Sequence, residues 1–265
     1  TTYLPVDGYG CINPDDVARA ITDQTILVSI MYANNEVGTI EPVAEIGRIC
    51  RARMIPFHID GVQAGGALPI DVAALNADLL SLSAHKFYGP KGVGILYVRQ
   101  GMRLLPQMQG GSQERGRRAG TENVAGIVGA ATALRLAYED LPTVTPRIIK
   151  LRNRLIDGLL SIPGSQLTGH PTERLPNNAS FCFAGVEGES ILLNLDLLGI
   201  AASTGSACTS GSVDPSHVLL AMGLPPEVAH GSLRLTLGKG NTDEDIDTIL
   251  NTVPGIVEKL RNLRG

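Results

Sequence analysis

Lys86 is the residue whose place in the sequence packing explains least. It stands in Ser81 to Gly94, SLSAHKFYGPKGVG, where a strand ending in small polar residues runs into His85-Lys86, an aromatic residue and a Gly-Pro turn. Lysine is ordinarily a solvated surface residue. One that directly follows an apolar strand has its amine held at the carboxyl end of a sheet, where α/β proteins form ligand sites. Partial desolvation there makes an amine nucleophilic and able to form a Schiff base with an aldehyde cofactor. The plainer alternative is a lysine that only closes a strand.

Upstream, His58-Ile59-Asp60-Gly61-Val62-Gln63 supplies a partner. A cofactor that draws electrons into a pyridine ring needs its ring nitrogen protonated, and a carboxylate beside that nitrogen keeps it so. Asp60 ends the preceding strand. Gln63 lies one turn on, in reach of a phenolic oxygen on the same ring. An acidic residue at a strand end is common, so Asp60 gains its weight from Lys86.

Two more residues stand out. Cys208 lies in ASTGSACTSGSVDP, residues 202–215, a Ser/Gly/Thr-rich stretch that reads as a loop. Free cysteines usually pack as small hydrophobes, as Cys182 between Phe181 and Phe183 should; a cysteine in a polar loop is more often reactive. A bland loop cysteine is the alternative. Arg234 interrupts the apolar strand Ser232-Leu233-Arg234-Leu235-Thr236. A guanidinium there needs an anion, either an internal carboxylate or the carboxylate of an amino-acid ligand gripped bidentately.

The elements that must hold these residues alternate as βαβ in the first half. Asn13-Pro14 reads as a helix start. Residues 25–31 (TILVSIM) read as a buried strand, and Pro42 opens a helix with Val43, Ile46, Ile49 and Cys50 on its apolar face. Strands are expected over 56–60, 78–83 and 94–98, and a helix over 122–141. The Pro/Thr-rich composition between Leu141 and Pro146 marks a domain boundary, giving domains 1–142 and 143–265. Beyond it come a helix over 146–160, a strand over 179–183, a helix over 189–198 and a strand over 232–237. A last helix starts at Thr242, its acidic first turn and basic end matching the helix dipole.

Composition sets the outer limits. With 265 residues, 43% hydrophobic and 18% charged, the chain can bury a large core. Thirty-one glycines and sixteen prolines suit an α/β protein with many turns rather than a helical bundle. The net charge of −4 is spread evenly, and no lobe is basic enough to take nucleic acid or an anionic membrane as its main partner. No apolar run is long enough for a membrane span, and no signal peptide opens the chain. Four widely spaced cysteines form neither a CxxC pair nor a zinc-ligand pattern, so no metal site is expected and a reducing compartment is. The localisation expected is cytoplasmic, or an organellar matrix in a eukaryote.

HIDGVQ, SAHKFYGPKG, GGSQERGRRAGTEN, TGSACTSG and SLRLTLGK occur in the order found in class I cysteine desulfurases of the NifS/IscS type, and ANNEVGTIEP fits as well. The sequence resembles that family, within aminotransferase class V, over essentially its whole length. The resemblance implies a fold-type-I enzyme dependent on pyridoxal 5′-phosphate (PLP). Its large domain would hold a mainly parallel sheet, followed by a smaller α+β C-terminal domain, and it would act as a homodimer. By matching position, Lys86 would carry the cofactor and move the substrate's Cα proton, and Asp60 would face the pyridine nitrogen. Gln63 and Asn35 would contact the phenolic oxygen, Asn35 also touching substrate. Ser83 and His85 would bind the phosphate, with His85 counted beside Lys86 and Cys208 among the catalytic residues. Thr121 would reach the phosphate of the other subunit's cofactor. Arg234 would hold the carboxylate of L-cysteine. Cys208 would take its sulfur as a persulfide, leaving L-alanine, and pass it to an acceptor or scaffold protein. The Arg115, Arg117, Arg118 cluster would lie in a dimer-facing loop or form a solvated charge run.

Against the family's pattern, the front is short. A phosphate-binding turn containing threonine and a ring-stacking histidine are expected well before the aspartate, and only 59 residues precede Asp60. The competing expectations are selenocysteine lyase, an aminotransferase, and a truncated, non-catalytic fragment.

Overall fold

The computed structural model describes residues 1–205 and 214–263. In chain order it contains α1 (Pro14–Ala20), β1 (Val28–Met31), α2 (Val43–Ala52), β2 (Phe57–Asp60), β3 (Leu79–Ser83) and β4 (Gly94–Val98). Then come α3 (Gln113–Gly116), α4 (Val124–Leu160), β5 (Ser165–Thr168), β6 (Asn178–Phe183), α5 (Gly188–Asp196), α6 (His217–Ala221), α7 (Pro226–Ala229), β7 (Ser232–Thr236) and α8 (Asp243–Asn262). The described chain divides into two compact units.

One unit comprises residues 21–32 and 43–141. Its sheet has the order β1-β2-β3-β4, with β1, β2 and β3 parallel and β4 antiparallel to β3. Registers Met31↔Asp60 and Asp60↔Ser81 bring the carboxyl ends of the three parallel strands side by side. Phe57, Ile59, Leu80 and Leu82 are buried, while the alternating His58, Asp60, Ser81 and Ser83 are only half-buried. Period-two alternation therefore puts a polar row on one face. His58 bridges that row, bonding Ser29 Oγ through Nδ1 and Ser81 Oγ through Nε2, each at 2.8 Å. The strand expected over 25–31 is longer and drier on paper than in the structure. Only residues 28–31 pair, and Ile26 is 86% exposed. Among the described residues β1 has a neighbour on one side alone, so apolar composition does not by itself bury it.

The other unit comprises residues 1–20, 33–42 and 142–265. Its antiparallel sheet runs β5-β6-β7. All six residues of β6 are buried. Phe181 and Phe183 stack at 6.0 Å within a core shared with Leu151 and Leu155 of α4, Ile191 of α5 and Val253 of α8. Cys182 faces the opposite side, against Val37, Leu219 and Met222. It is the buried small hydrophobe its neighbours suggested, with burial pushing its thiol up to about 12. Thr242 caps α8 in a reciprocal capping box with Asp245.

The helix expected to stop at Leu141 does not stop there. α4 continues through Pro142 and Pro146 to Leu160. Each proline removes one backbone donor and costs about 3 kcal/mol in a helix interior. Beyond the prolines, Ile148, Leu151, Leu155 and Leu159 are buried on the helix's core side, and that burial offsets the loss.

Candidate functional site

Five of the expected residues gather at or just beyond the carboxyl ends of β2 and β3. Asp60 is the last residue of β2; its Oδ1 accepts the Val62 amide at 3.0 Å, closing the turn that carries half-buried Gln63. The Gly61 amide donates to the Ser81 carbonyl at 3.0 Å, which ties this turn to β3. Ser83 ends β3, and its Oγ lies 2.8 Å from His85 Nδ1. Lys86 follows within a single 3-10 turn, Ala84–Phe87.

That turn corrects one expectation. Lys86 is exposed, not desolvated. A 3-10 turn has three residues per turn, so Ala84 and Phe87 eclipse and share the buried side, and His85 and Lys86 face outward. Tyr88, in the left-handed conformation at φ 63°, closes the turn onto the Ala84 carbonyl. Thr121 is exposed just ahead of α4, and Arg115, Arg117 and Arg118 are exposed as well.

A second cluster lies within the other unit. Asn34 Oδ1 accepts the amides of Glu36 and Val37 at 2.8 and 3.0 Å, winding residues 34–39 into a tight loop. Gly38 has φ +79°, and a Cβ there would lie 2.7 Å from the Asn178 side chain, so only glycine fits. Arg234 Nη1 donates to the Asn35 carbonyl at 2.9 Å, bringing together these two expected substrate contacts. Its Nε is buried and has no hydrogen-bond partner among the described residues. Burying that donor unpaired is costly, and a ligand carboxylate would satisfy it. The bridge between Ser203 and Arg234 adds the stretch leading to residue 205 to the free edge of β7. Cys208 itself lies outside the described residues.

The residues that brace this loop are far from it in the chain. Arg174, 3% exposed, donates to the carbonyls of Val37, Thr168, His170 and Asn178, and Asn178 Nδ2 donates to the Glu36 carbonyl at 3.0 Å. Burial lowers the Arg174 guanidinium to about 10, with nearby Arg152 adding to the shift. Glu36 is buried too, and burial pushes its carboxyl up, opposed by the Ser216 hydroxyl, His217 and Arg234. The only available signal was an acidic residue set between two asparagines and Val-Gly.

The family model described as Aminotransferase class-V matches residues 1–249, and the chain belongs to that family. Within it, the chain is similar to cysteine desulfurases. It is 58% identical over 262 residues to "Cysteine desulfurase IscS" of Methanosarcina thermophila, covering 99% of this chain and 65% of the relative. The protein of the same name from Clostridium botulinum (strain Hall) is 56% identical over 265 residues, with 99% and 67% covered. A solved structure titled "NIFS-LIKE PROTEIN" superimposes with a TM-score of 0.90 at 40% identity, covering 98% of this chain and 68% of that one. The NifS-like protein of Rickettsia africae does so with a TM-score of 0.89 at 31% identity, over 96% and 69%. The chain thus spans about two thirds of the length of these relatives. The α/β fold with a mainly parallel sheet is the fold-type-I architecture that the motifs implied.

The residues present suit PLP, the cofactor of that architecture. Lys86 offers an accessible amine for its aldehyde, Asp60 a carboxylate for its ring nitrogen, and Ser83 and His85 donors for its phosphate. All four come from the adjacent carboxyl ends of the parallel strands β2 and β3, fixed by register.

Proposed function

We propose that this chain acts in cysteine desulfuration, removing sulfur from L-cysteine to give L-alanine and a persulfide on Cys208. The observation that carries this reading is the alignment of Asp60, Ser83, His85 and Lys86 at neighbouring strand ends. Bound PLP supplies an electron sink that stabilises negative charge at the substrate's Cα. Lys86 holds the cofactor, then takes and returns the Cα proton. Asp60 keeps the ring nitrogen protonated, with Gln63 and Asn35 at the phenolic oxygen. Arg234 fixes the substrate carboxylate, for which its unpartnered Nε is suited. The Cys208 thiolate attacks the substrate sulfur; an S–S bond forms, the Cβ–S bond breaks, and its electron pair takes up a proton to give alanine.

In this reading residues 1–142 serve cofactor binding and residues 143–265 carry the thiol. The working unit is a homodimer in which Thr121 of one subunit serves the other's phosphate site. The persulfide then passes to an acceptor protein of iron–sulfur cluster or thio-cofactor assembly, in the cytoplasm. Among the described residues no helix is long and apolar enough to cross a membrane.

The test is the visible spectrum of the purified protein after addition of PLP and desalting. A retained band that borohydride abolishes and Lys86→Ala lacks, followed by alanine and persulfide from cysteine, supports the reading. Turnover of selenocysteine but not cysteine redirects it to selenocysteine lyase. Full activity in Cys208→Ala redirects it to an aminotransferase. A folded protein with no band supports a non-catalytic role.

A further inference from the structure

Residues 205 and 216 flank the stretch that carries Cys208, and both rest on one carboxylate. Glu36 is 5% exposed, and its Oε2 accepts the hydroxyl hydrogen of Ser216. A Cβ built on Gly205 would lie 2.6 Å from that same oxygen, so the Gly205 backbone packs directly against it. Ser216 in turn accepts the amides of Val218 and Leu219 at 3.2 and 3.3 Å, which starts α6. The origin of the carboxylate is fixed as well, since the Glu36 carbonyl is held by Asn178 and its amide by Asn34. A buried carboxylate is expensive where a hydrocarbon would pack, and it is tolerated where its hydrogen bonds do something packing cannot.

We propose that Glu36 is the positioning residue for the Cys208 thiol, holding Gly205 and Ser216 at a common anchor. This rests on Cys208 being the sulfur acceptor. Glu36 does not touch the reacting atoms in this role; it fixes where the thiol's segment starts and ends.

Holoenzyme variants Glu36→Ala, Ser216→Ala, Glu36→Gln and the double Ala variant test it. In the two single Ala variants kcat for alanine formation should fall about tenfold, the scale of one hydrogen bond to a charged group. KM for cysteine and the cofactor band should stay within about twofold of wild type, because substrate binding is not what the anchor serves. Glu36→Gln should restore most of kcat, its amide oxygen accepting from Ser216, and the double variant should be no worse than the worse single. Parallel loss of cofactor binding, or additive effects in the double variant, would overturn the proposal in favour of a role in folding alone.

A second readout is independent of turnover. Burial holds the thiols of Cys11 and Cys50 up at about 11 and that of Cys182 at about 12, so alkylation of the cofactor-free chain at about pH 8 reports mainly Cys208. Glu36→Ala and Ser216→Ala should shift that rate about threefold or more in the same direction, with Glu36→Gln near wild type. Equal rates throughout would overturn the proposal. If wild type makes no alanine while the alkylation pattern holds, the desulfurase reading fails and the anchor stands.

Discussion

The two sheets solve different problems with similar lengths of strand. β6 is buried along all six residues, with phenylalanines on one side and Cys182 on the other. β1 has no buried residue, and together with β2 and β3 it turns Ser29, His58, Asp60, Ser81 and Ser83 to one polar face. The first arrangement yields stability through area removed from water. The second forgoes that area and places titratable groups at the carboxyl ends of parallel strands, where a ligand can reach them. The first sheet is thus mainly cohesive, Arg234 of β7 apart, while the second buries one face and leaves the other to polar groups.

Substitutions should break that contrast in different currencies. Lys86→Ala, on the polar sheet, should abolish retention of PLP altogether while leaving the melting temperature of the cofactor-free chain within a degree or so, read by absorbance and by thermal unfolding. Phe181→Ala, in the buried sheet, should cost about 3–5 kcal/mol in urea unfolding, since it removes a fully buried ring and its stacking partner's contact.

A buried carboxylate sharpens the comparison by making the second unit sensitive to pH. Glu41 accepts the Ile12 amide at 2.9 Å, and burial, with nearby Asp7, raises its carboxyl from 4.5 to about 7. Between those values the unfolded chain has lost a proton that the folded chain keeps, so stability should fall as pH rises through that window. The total fall should be about 2–4 kcal/mol, and Glu41→Gln should flatten it in urea titrations at several pH values. The smallest effect belongs to the polar row. Ser29→Ala removes one bond to half-buried His58 and should cost only about 1 kcal/mol in the same assay.

Much of this was legible in the sequence because it is local. The motif around Lys86, the strand-end Asp60, the buried Cys182 and the Thr242 cap each depend on residues close together in the chain. What escaped depends on distance or on competition between effects. Glu36 and Ser216 meet across 180 positions, and Arg174 reaches Val37 across 137. The exposure of Lys86 follows from a 3-10 turn that composition does not announce, and the persistence of α4 through two prolines follows from core burial beyond them. Apolar residues 26 and 27 suggested a buried strand, yet they lie ahead of a strand with one neighbour among the described residues and are exposed.

The most direct test of the account is where the sulfur goes. The PLP-loaded protein is given L-cysteine, its thiols are capped, and its peptides are examined by mass spectrometry. One added sulfur atom on the peptide containing Cys208, absent in Lys86→Ala and accompanied by alanine, is the predicted result. Alanine formed with no sulfur on Cys208, or sulfur carried by Cys11, Cys50 or Cys182 instead, would contradict it.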